Sequence, residues 1–190
     1  MKVAIVGNSG SLLKHLHGDF INGHDMIYRF NTAPTRGYWD YVGNFTTLRF
    51  IAYHGEDYWL NLENILLYSY SKKAQEEGWD KLWFHNHVTP LDKKFIHRCD
   101  NMISKPYWKW RLIPGRIIIH KIMSSTGLKA IIYALDRGYD ISLFGFMPDE
   151  KFHYFEDNRE GYNPDKSHNY EKEKGIIKRY EDEGKLKVFS

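Results

Sequence analysis

The stretch VAIVGNSGSLL, residues Val3–Leu13, begins with four apolar residues and then breaks into Gly7-Asn8-Ser9-Gly10. A short apolar run that ends at glycine predicts a buried β-strand. Glycine lets the backbone approach a ligand closely, and the N–H groups of such a turn can meet a phosphate. The stretch therefore predicts a strand that leads into a nucleotide-binding turn.

The turn matches neither of the two common phosphate-loop patterns. It lacks the third glycine of GxGxxG, and no Gly-Lys-Ser/Thr follows it. Many strand-to-helix turns contain Gly and Asn only because these residues tolerate positive φ. A dinucleotide-dependent oxidoreductase is thus one alternative that the first strand and turn leave open, although the missing glycine disfavours it.

Strand-like and helix-like segments alternate along the rest of the chain. Further strands are predicted at Met26–Phe30, Thr46–Tyr53, Ile65–Tyr70, Lys81–His85, Ile141–Phe146 and Lys185–Phe189. Helical spacing of apolar residues predicts helices at Ser71–Glu77, Pro90–Arg98, Ser125–Arg137 and Tyr170–Glu183. This alternation predicts an α/β fold, a single Rossmann-like three-layer domain over residues 1–190 with a mostly parallel sheet.

The composition is that of a soluble globular protein. Of the 190 residues, 42% are hydrophobic, and the net charge of +3 is too mild to predict a nucleic-acid partner. Cys99 is the only cysteine, so no intrachain disulfide can form. No apolar run approaches the roughly 20 residues of a membrane-spanning helix, and the chain starts with a strand pattern instead of a signal segment. We therefore expect no transmembrane segment.

Ser125-Thr126-Gly127 opens the best-defined helix, and Gly138 is placed to end it. Hydroxyls and free N–H groups at a helix N-terminus can bind an anion, although the same residues also serve as ordinary caps. The residues alone leave both interpretations open.

Two histidines, His153 and His168, lie in a polar stretch with no clear periodicity, Met147–Asn169. Histidine can exchange protons near neutral pH, and a long loop in a compact domain is usually functional or disordered. His85 and His87 lack a clear third ligand, and no Asp-x-Asp occurs in the chain. We therefore predict no metal site.

Four segments, taken in order, resemble the motifs of the eukaryotic-type sialyltransferases, glycosyltransferase family 29. Residues 3–47 resemble the large sialylmotif, with Asn8 and Asn31 at matching places. SSTGLKAIIYALDRGYDISLFGF, residues 124–146, resembles the small sialylmotif. HYFE at 153–156 is similar to motif III, and HNYEKE at 168–173 to the very small motif.

The resemblance implies a sialyltransferase-like catalytic domain of the GT-A-like variant type, with inverting, metal-independent chemistry and no cofactor. The implied partners are a CMP-sialic acid donor and a glycan acceptor. His168 would be the general base, and His153 would hydrogen-bond the departing phosphate. The residues implied to contact the nucleotide are Asn8, Ser9, Asn31, Ser125, Thr126 and Gly127. Glu173 would either orient the base region or carry a surface charge.

The chain departs from the family pattern at several places. The cysteines that join the large and small motifs in the family align with Val3 and Gly138, so apolar packing is expected to hold these strands. Without that disulfide or an anchor, we expect a cytoplasmic enzyme of bacterial or viral type, with a soluble portion of a Golgi-type enzyme as the less favoured alternative. A phosphate-binding tyrosine of some members is replaced by Met123. Phosphate binding is then expected to depend more on His153 and the helix N-terminus, or on another tyrosine such as Tyr107 or Tyr154.

Two alternatives stay close to this interpretation. The donor could be another CMP-keto sugar such as Kdo, or the chain could be a non-catalytic module that binds CMP or a glycan. The sequence leaves the acceptor, the linkage and the oligomeric state open.

Overall fold

The computed structural model describes residues 1–31, 33–52, 64–68, 87–103, 109–113, 116–120, 123–146, 153–155 and 168–189. Its strands are β1 (Lys2–Val6), β2 (Met26–Phe30), β3 (Leu48–Ala52), β4 (Asn64–Tyr68), β5 (His87–Pro90), β6 (Lys109–Ile113), β7 (Arg116–His120), β8 (Asp140–Phe144) and β9 (Leu186–Phe189). Its helices are α1 (Gly18–Asn22), α2 (Trp39–Val42), α3 (Lys93–Ile103), α4 (Thr126–Leu135) and α5 (Tyr170–Asp182), and a 3-10 helix covers Gly10–Lys14.

Seven of the described strands form one sheet in the order β5-β4-β3-β2-β1-β8-β9. All of its pairings are parallel, and β6 and β7 form a separate antiparallel hairpin. The predicted α/β fold with a mostly parallel sheet is confirmed.

The sheet is covered on both faces, as a parallel sheet requires. Along β1, Val3 and Ile5 belong to one buried cluster, while Ala4 and Val6 belong to another. This alternation follows from the two-residue period of a strand. The first cluster includes residues of α4 and α5, and the second includes residues of α1, α2 and the 3-10 helix. The three-layer arrangement follows.

Apolar packing and a hydrogen-bonded ladder hold β1 to β8, as expected in the absence of the family disulfide. Val3 lies in register with Ile141, and both side chains are fully buried. Gly138 adopts a φ of 65° just beyond α4, which is the left-handed conformation that favours glycine after a helix. Its predicted role as the helix stop is confirmed.

The elements of the middle region differ from the prediction. The helix expected at Pro90–Arg98 runs over Lys93–Ile103, because Pro90 belongs to β5 instead. The sequence did not predict the short helices α1 and α2 or the β6–β7 hairpin, since four- and five-residue elements carry little periodicity. The predicted helix at Ser71–Glu77 and the predicted strand at Lys81–His85 lie outside the described residues.

The strand order reverses between β1 and β8. β2 to β5 extend the sheet from one side of β1, and β8 and β9 extend it from the other. In open parallel sheets, ligands bind in the crevice beyond the carboxyl ends of the strands at such a reversal. Within the described parts of the chain, no helix has the length and apolar character needed to cross a membrane.

Candidate active site

The turn after β1 packs directly against the end of β8. The Gly7 amide donates to the Phe144 carbonyl at 2.7 Å. A Cβ at Gly7 would lie 2.5 Å from the Gly145 carbonyl oxygen, so no other residue fits without separating the two strands. Glycine is therefore required here by the close approach of two backbones, which brings the β1 turn to the reversal point of the sheet.

Asn8, which follows Gly7, carries an unusual polar atom. Its Oδ1 is buried and has no hydrogen-bond partner among the described residues. Such an atom costs about 1–3 kcal/mol in folding, so native structures seldom retain one without a use. An incoming N–H or O–H donor at this turn would satisfy it.

His153 lies beside the same turn. It forms an isolated antiparallel bridge with Ser9, and the Tyr154 amide donates to the Asn8 carbonyl at 2.9 Å. The Ser9 hydroxyl caps the 3-10 helix by accepting from the Ser11 amide at 3.1 Å. The structure thus brings together Asn8, Ser9 and His153, three of the residues singled out in the sequence.

The sequence makes Tyr154 a candidate to bind phosphate, but its side chain is bound within the protein. Its ring is buried, and its hydroxyl donates to the carbonyl of Pro34 in the loop after β2. Burial raises the pKa of Tyr154 to about 12. The expectation for Tyr154 is therefore wrong, because its hydroxyl joins two loops of the protein instead; Tyr107 lies outside the described residues.

Asn31 ends β2, the neighbour of β1, in a strained conformation. Its φ of 47° is the only positive value at a non-glycine residue in the described parts of the chain. The Asn31 amide donates to the Phe50 carbonyl at 2.9 Å, and the buried Arg49 donates to the Asn31 carbonyl at 2.8 Å. Asparagine tolerates this conformation better than most residues, and such strain clusters at functional sites.

The other side of the crevice is the start of α4. Ser125 is the N-cap, and its hydroxyl accepts from the Leu128 amide at 3.1 Å. The same hydroxyl donates to Glu173, and the Ser125 amide donates to Glu173 Oε1 at 2.6 Å. Ser125 is therefore a cap, as one of the two interpretations expected, and it is also held by a carboxylate from α5.

Gly127 and Phe146 connect this helix start to the sheet. A Cβ at Gly127 would lie 3.0 Å from Phe146 Cε1, so the ring packs over the glycine. Phe146 follows β8 and also packs edge-on against Phe30 at the end of β2, with 6.1 Å between ring centroids. Thr126 occupies the first turn beside Gly127 and is half-buried. The start of α4 thus lies over the same strand ends as the β1 turn.

His168 lies beside the residues that precede α4. Its Nδ1 is 2.9 Å from the Met123 carbonyl oxygen. A carbonyl can only accept, so Nδ1 carries a proton, and in the neutral form of the ring the lone pair is on Nε2. This tautomer is the one that a general base needs, with the basic nitrogen directed away from its anchor.

Glu173 is only 5% exposed, so the surface-charge interpretation is wrong. Burial raises the pKa of this carboxyl, while its hydrogen bonds from Ser125 and the charge of His168 oppose the rise. Glu173 therefore links the base region to the start of α4. The sequence shows the His-to-Glu spacing but not the partner, which lies 48 residues away.

The described residues contain no cluster of three or more His, Cys, Asp or Glu side chains that could hold a metal ion. Metal independence and the absence of a cofactor both stay predictions. Residues 147–152 and 156–167 lie outside the described residues. They flank His153 and precede His168, and they include Glu156.

Comparison with known proteins gives a consistent result. The model of glycosyltransferase family 29 (sialyltransferase) matches residues 1–185. A chicken (Gallus gallus) protein named CMP-N-acetylneuraminate-beta-galactosamide-alpha-2,3-sialyltransferase 1 is 31% identical over 170 residues, which cover 83% of this chain and 48% of that protein. Sialyltransferase-like protein 2 of Arabidopsis thaliana is 28% identical over 167 residues, 86% of this chain and 34% of that protein. The chain thus spans half or less of the length of these relatives.

Solved structures agree on the fold. The crystal structure of a mammalian sialyltransferase matches with a TM-score of 0.76 at 22% identity, covering 99% of this chain and 68% of that one. The sialyltransferase CST-II in complex with a trisaccharide acceptor and CMP matches with a TM-score of 0.55 at 16% identity, covering 100% of this chain and 80% of that one. At these identities the likeness supports the predicted GT-A-like architecture and nothing finer.

Proposed function

Because the chain belongs to glycosyltransferase family 29, the sialyltransferases, we propose that it transfers sialic acid from CMP-sialic acid to a hydroxyl of a glycan acceptor. The chicken relative is named for CMP-N-acetylneuraminate and a beta-galactosamide. A galactose-ended glycan is accordingly the first acceptor class to test. The single observation that carries the catalytic part of the proposal is the hydrogen bond from His168 Nδ1 to the Met123 carbonyl.

In the proposed complex, CMP occupies the crevice between the β1 turn and the start of α4. Asn8 and Asn31 contact the nucleotide from the strand ends, together with Ser9. The N-terminal turn of α4, with Ser125, Thr126 and Gly127, faces the ribose or phosphate, where its N–H groups and dipole favour negative charge. The buried Oδ1 of Asn8 supports this placement, because the cytosine amino group and the ribose hydroxyls are donors of the kind it lacks.

The proposed reaction is a direct displacement. The acceptor hydroxyl oxygen bonds to the anomeric carbon as the bond from that carbon to the phosphate oxygen of CMP breaks. The electron pair of the broken bond leaves with CMP, and the acceptor proton moves to Nε2 of His168. Attack from the face opposite the leaving group inverts the anomeric centre.

His153 is the proposed partner of the departing phosphate. Its bridge to Ser9 supports this role, because it lies beside the turn where the nucleotide would bind. CMP leaves as a phosphate monoester, which carries less charge than a nucleoside diphosphate, so a helix N-terminus and one histidine can stabilise it. The proposed reaction therefore needs no metal ion.

A CMP-release assay tests the proposal. The 190-residue chain is incubated with CMP-N-acetylneuraminic acid or CMP-Kdo, with lactose or Galβ1-3GalNAc as acceptor, with and without EDTA. We expect acceptor-dependent CMP release from the sialic acid donor that EDTA does not reduce. CMP release only from CMP-Kdo would mean that the donor is CMP-Kdo and not CMP-sialic acid. CMP binding without release from either donor would favour a non-catalytic module.

A thermal-shift series with CMP and NAD addresses the oxidoreductase alternative. A ligand that binds only the folded state raises its melting temperature. We expect CMP to stabilise the protein and NAD to leave it unchanged; the reverse pattern would overturn the proposed function.

A further inference from the structure

Three consecutive residues before α4 are each held by a side chain from elsewhere. His168 holds Met123, and Glu173 holds Ser125. Ser124, between them, is fully buried, and both its amide and its hydroxyl donate to Asp100 Oδ1, at 2.9 and 2.8 Å. The backbone that leads into the proposed donor site is thus fixed residue by residue.

Lys129 completes the contacts of Ser124 from inside α4. It is the fourth residue of the helix, and its side chain runs back toward the helix start, as helical side chains do. Its ammonium donates to the Ser124 carbonyl and lies 3.8 Å from Asp100 Oδ1. The Lys129 side chain is 0% exposed and that of Asp100 is 1% exposed.

Stability alone does not explain this pair. Removing two charges from water is expensive, and apolar residues of similar volume often serve a core at least as well. A cation near a helix N-terminus also opposes the helix dipole. Leu128 and Ile132, the neighbours of Lys129 in α4, pack in an apolar cluster with Cys99 and Ile103 of α3, where an apolar residue would fit.

We propose that Lys129 and Asp100 are positioning residues for donor binding, an inference that rests on the proposed function. Together they fix the amide, hydroxyl and carbonyl of Ser124. Ser124 in turn sets where the Ser125–Gly127 turn and the carbonyl of Met123, the anchor of His168, lie relative to the nucleotide. Neither side chain needs to touch the donor for this role.

The decisive variant is the double substitution Asp100→Asn with Lys129→Met. It removes both charges of the pair while nearly preserving volume, so neither Asp100 nor Lys129 is left as a charge without the other, and Glu173 keeps its hydrogen bonds from Ser125. The fold is therefore expected to survive. The contact from residue 129 to the Ser124 carbonyl is lost. We expect the Kd for CMP, measured by calorimetry, and the KM for the donor to rise on the order of tenfold, as for other supporting residues around a site. The KM for the acceptor should stay within about twofold.

Two further variants keep the test informative if the double variant folds poorly. Lys129→Arg retains the charge and an N–H donor and should bind CMP within about threefold of wild type, while Lys129→Met alone should weaken binding at least tenfold. Calorimetry reports the active fraction as stoichiometry, so the Kd refers to folded molecules. Lys178→Met is the control, since this lysine of α5 is 65% exposed and pairs only with the equally exposed Asp182 among its described contacts.

The outcomes separate the two proposals. If wild type does not bind CMP, the proposed function fails, and this inference fails with it. If wild type binds CMP and the double variant, or Lys129→Met where the double variant does not fold, binds it equally well, the positioning role alone is overturned. A rise in acceptor KM equal to the rise in donor KM would also overturn it, because a general loosening of the fold predicts that result.

Discussion

The two sides of the crevice differ in how their polar side chains are hydrogen-bonded. The β1 turn presents a buried Asn8 Oδ1 that has no partner among the described residues. At the start of α4, by contrast, Ser124 and Ser125 hydrogen-bond to the buried carboxylates Asp100 and Glu173. One side leaves a buried polar atom without a partner among the described residues, and the other uses its hydroxyls in hydrogen bonds within the protein.

Under the proposed function, this difference assigns ligand recognition to the β1 turn and support of the backbone to the α4 side. An unsatisfied buried acceptor lowers folding stability but gains a full hydrogen bond when a ligand arrives. A hydroxyl that already bonds a carboxylate offers a ligand less, yet it fixes the start of α4. The side chains of the β1 turn would then select the nucleotide, while the α4 side would supply a fixed backbone and an anchor for the proposed base.

The largest expected effect is on the proposed base, His168, which hydrogen-bonds the residues before α4. His168→Ala removes Nε2, the proposed proton acceptor, and should lower kcat for sugar transfer by about 100- to 10,000-fold. Because CMP is proposed to bind through other residues, its Kd should change little. Steady-state CMP release and calorimetry measure the two quantities.

The matched control for this variant is His15→Ala, at an exposed histidine away from α4. It should leave kcat unchanged. Equal turnover by His168→Ala and wild type would contradict the assignment of the base. A large loss of CMP affinity would mean that His168 contributes to nucleotide binding.

The next effect is on the backbone of the β1 turn. Gly7→Ala places a methyl group 2.5 Å from the Gly145 carbonyl oxygen, so β1 and β8 must separate. We expect the free energy of unfolding to fall by about 2–3 kcal/mol, the upper range for overpacking. Chemical denaturation measures it.

Gly175→Ala is the control for that variant. It lies in α5, where nothing stands within 4 Å of an added Cβ, and should gain about 0.5–1 kcal/mol from helix propensity. If Gly7→Ala were as stable as wild type, the tight contact between the β1 turn and β8 would be wrong.

The side chains of the two regions should respond in opposite ways. Asn8→Ala removes an unsatisfied buried acceptor, so stability should hold or rise, by at most about 1–3 kcal/mol, while the Kd for CMP rises. Ser125→Ala removes a helix cap and a donor to Glu173, and should cost about 1–2 kcal/mol of stability. Denaturation and calorimetry on both variants test the contrast. If Asn8→Ala lowered stability as much as Ser125→Ala while binding CMP normally, the proposed division of roles would be wrong.

The sequence predicted what is local. The β1 strand, its glycine turn and α4 follow from residues that are neighbours in the chain, and the motif resemblance pointed to His153 and His168. The partners of Ser124 and Ser125 could not be predicted, because Asp100 and Glu173 lie 24 and 48 residues away from them. Contacts across such separations depend on the packing of three helices.

One signal in the sequence could have led to Asp100, although the helix predicted there ended at Arg98. It stands four residues after Ile96 and three before Ile103, on the same face of α3 as Cys99. Helical periodicity alone therefore places a carboxylate on a buried face, where charges are seldom found without a partner. A buried Asp in a helix and a Lys in an apolar helix, Lys129, together predict an ion pair, although not its contact with Ser124.

The smallest expected effect is on pH dependence, and it tests how the α4 side is stabilised. Burial raises the pKa of Glu173 above its ordinary value of 4.5, so at pH values just above 4.5 the folded state binds more protons than the unfolded state. This group's contribution to stability is therefore greatest below pH 4.5 and declines as the pH rises through the folded pKa. Glu173→Gln cannot titrate and should remove that decline, which denaturation curves at about pH 5 and about pH 8 would measure as a smaller loss of unfolding free energy than in wild type. An equal loss in both proteins would mean that the Ser125 hydrogen bonds and the charges of His168 and Lys129 together offset the burial of this carboxylate, so that its pKa is not raised by folding.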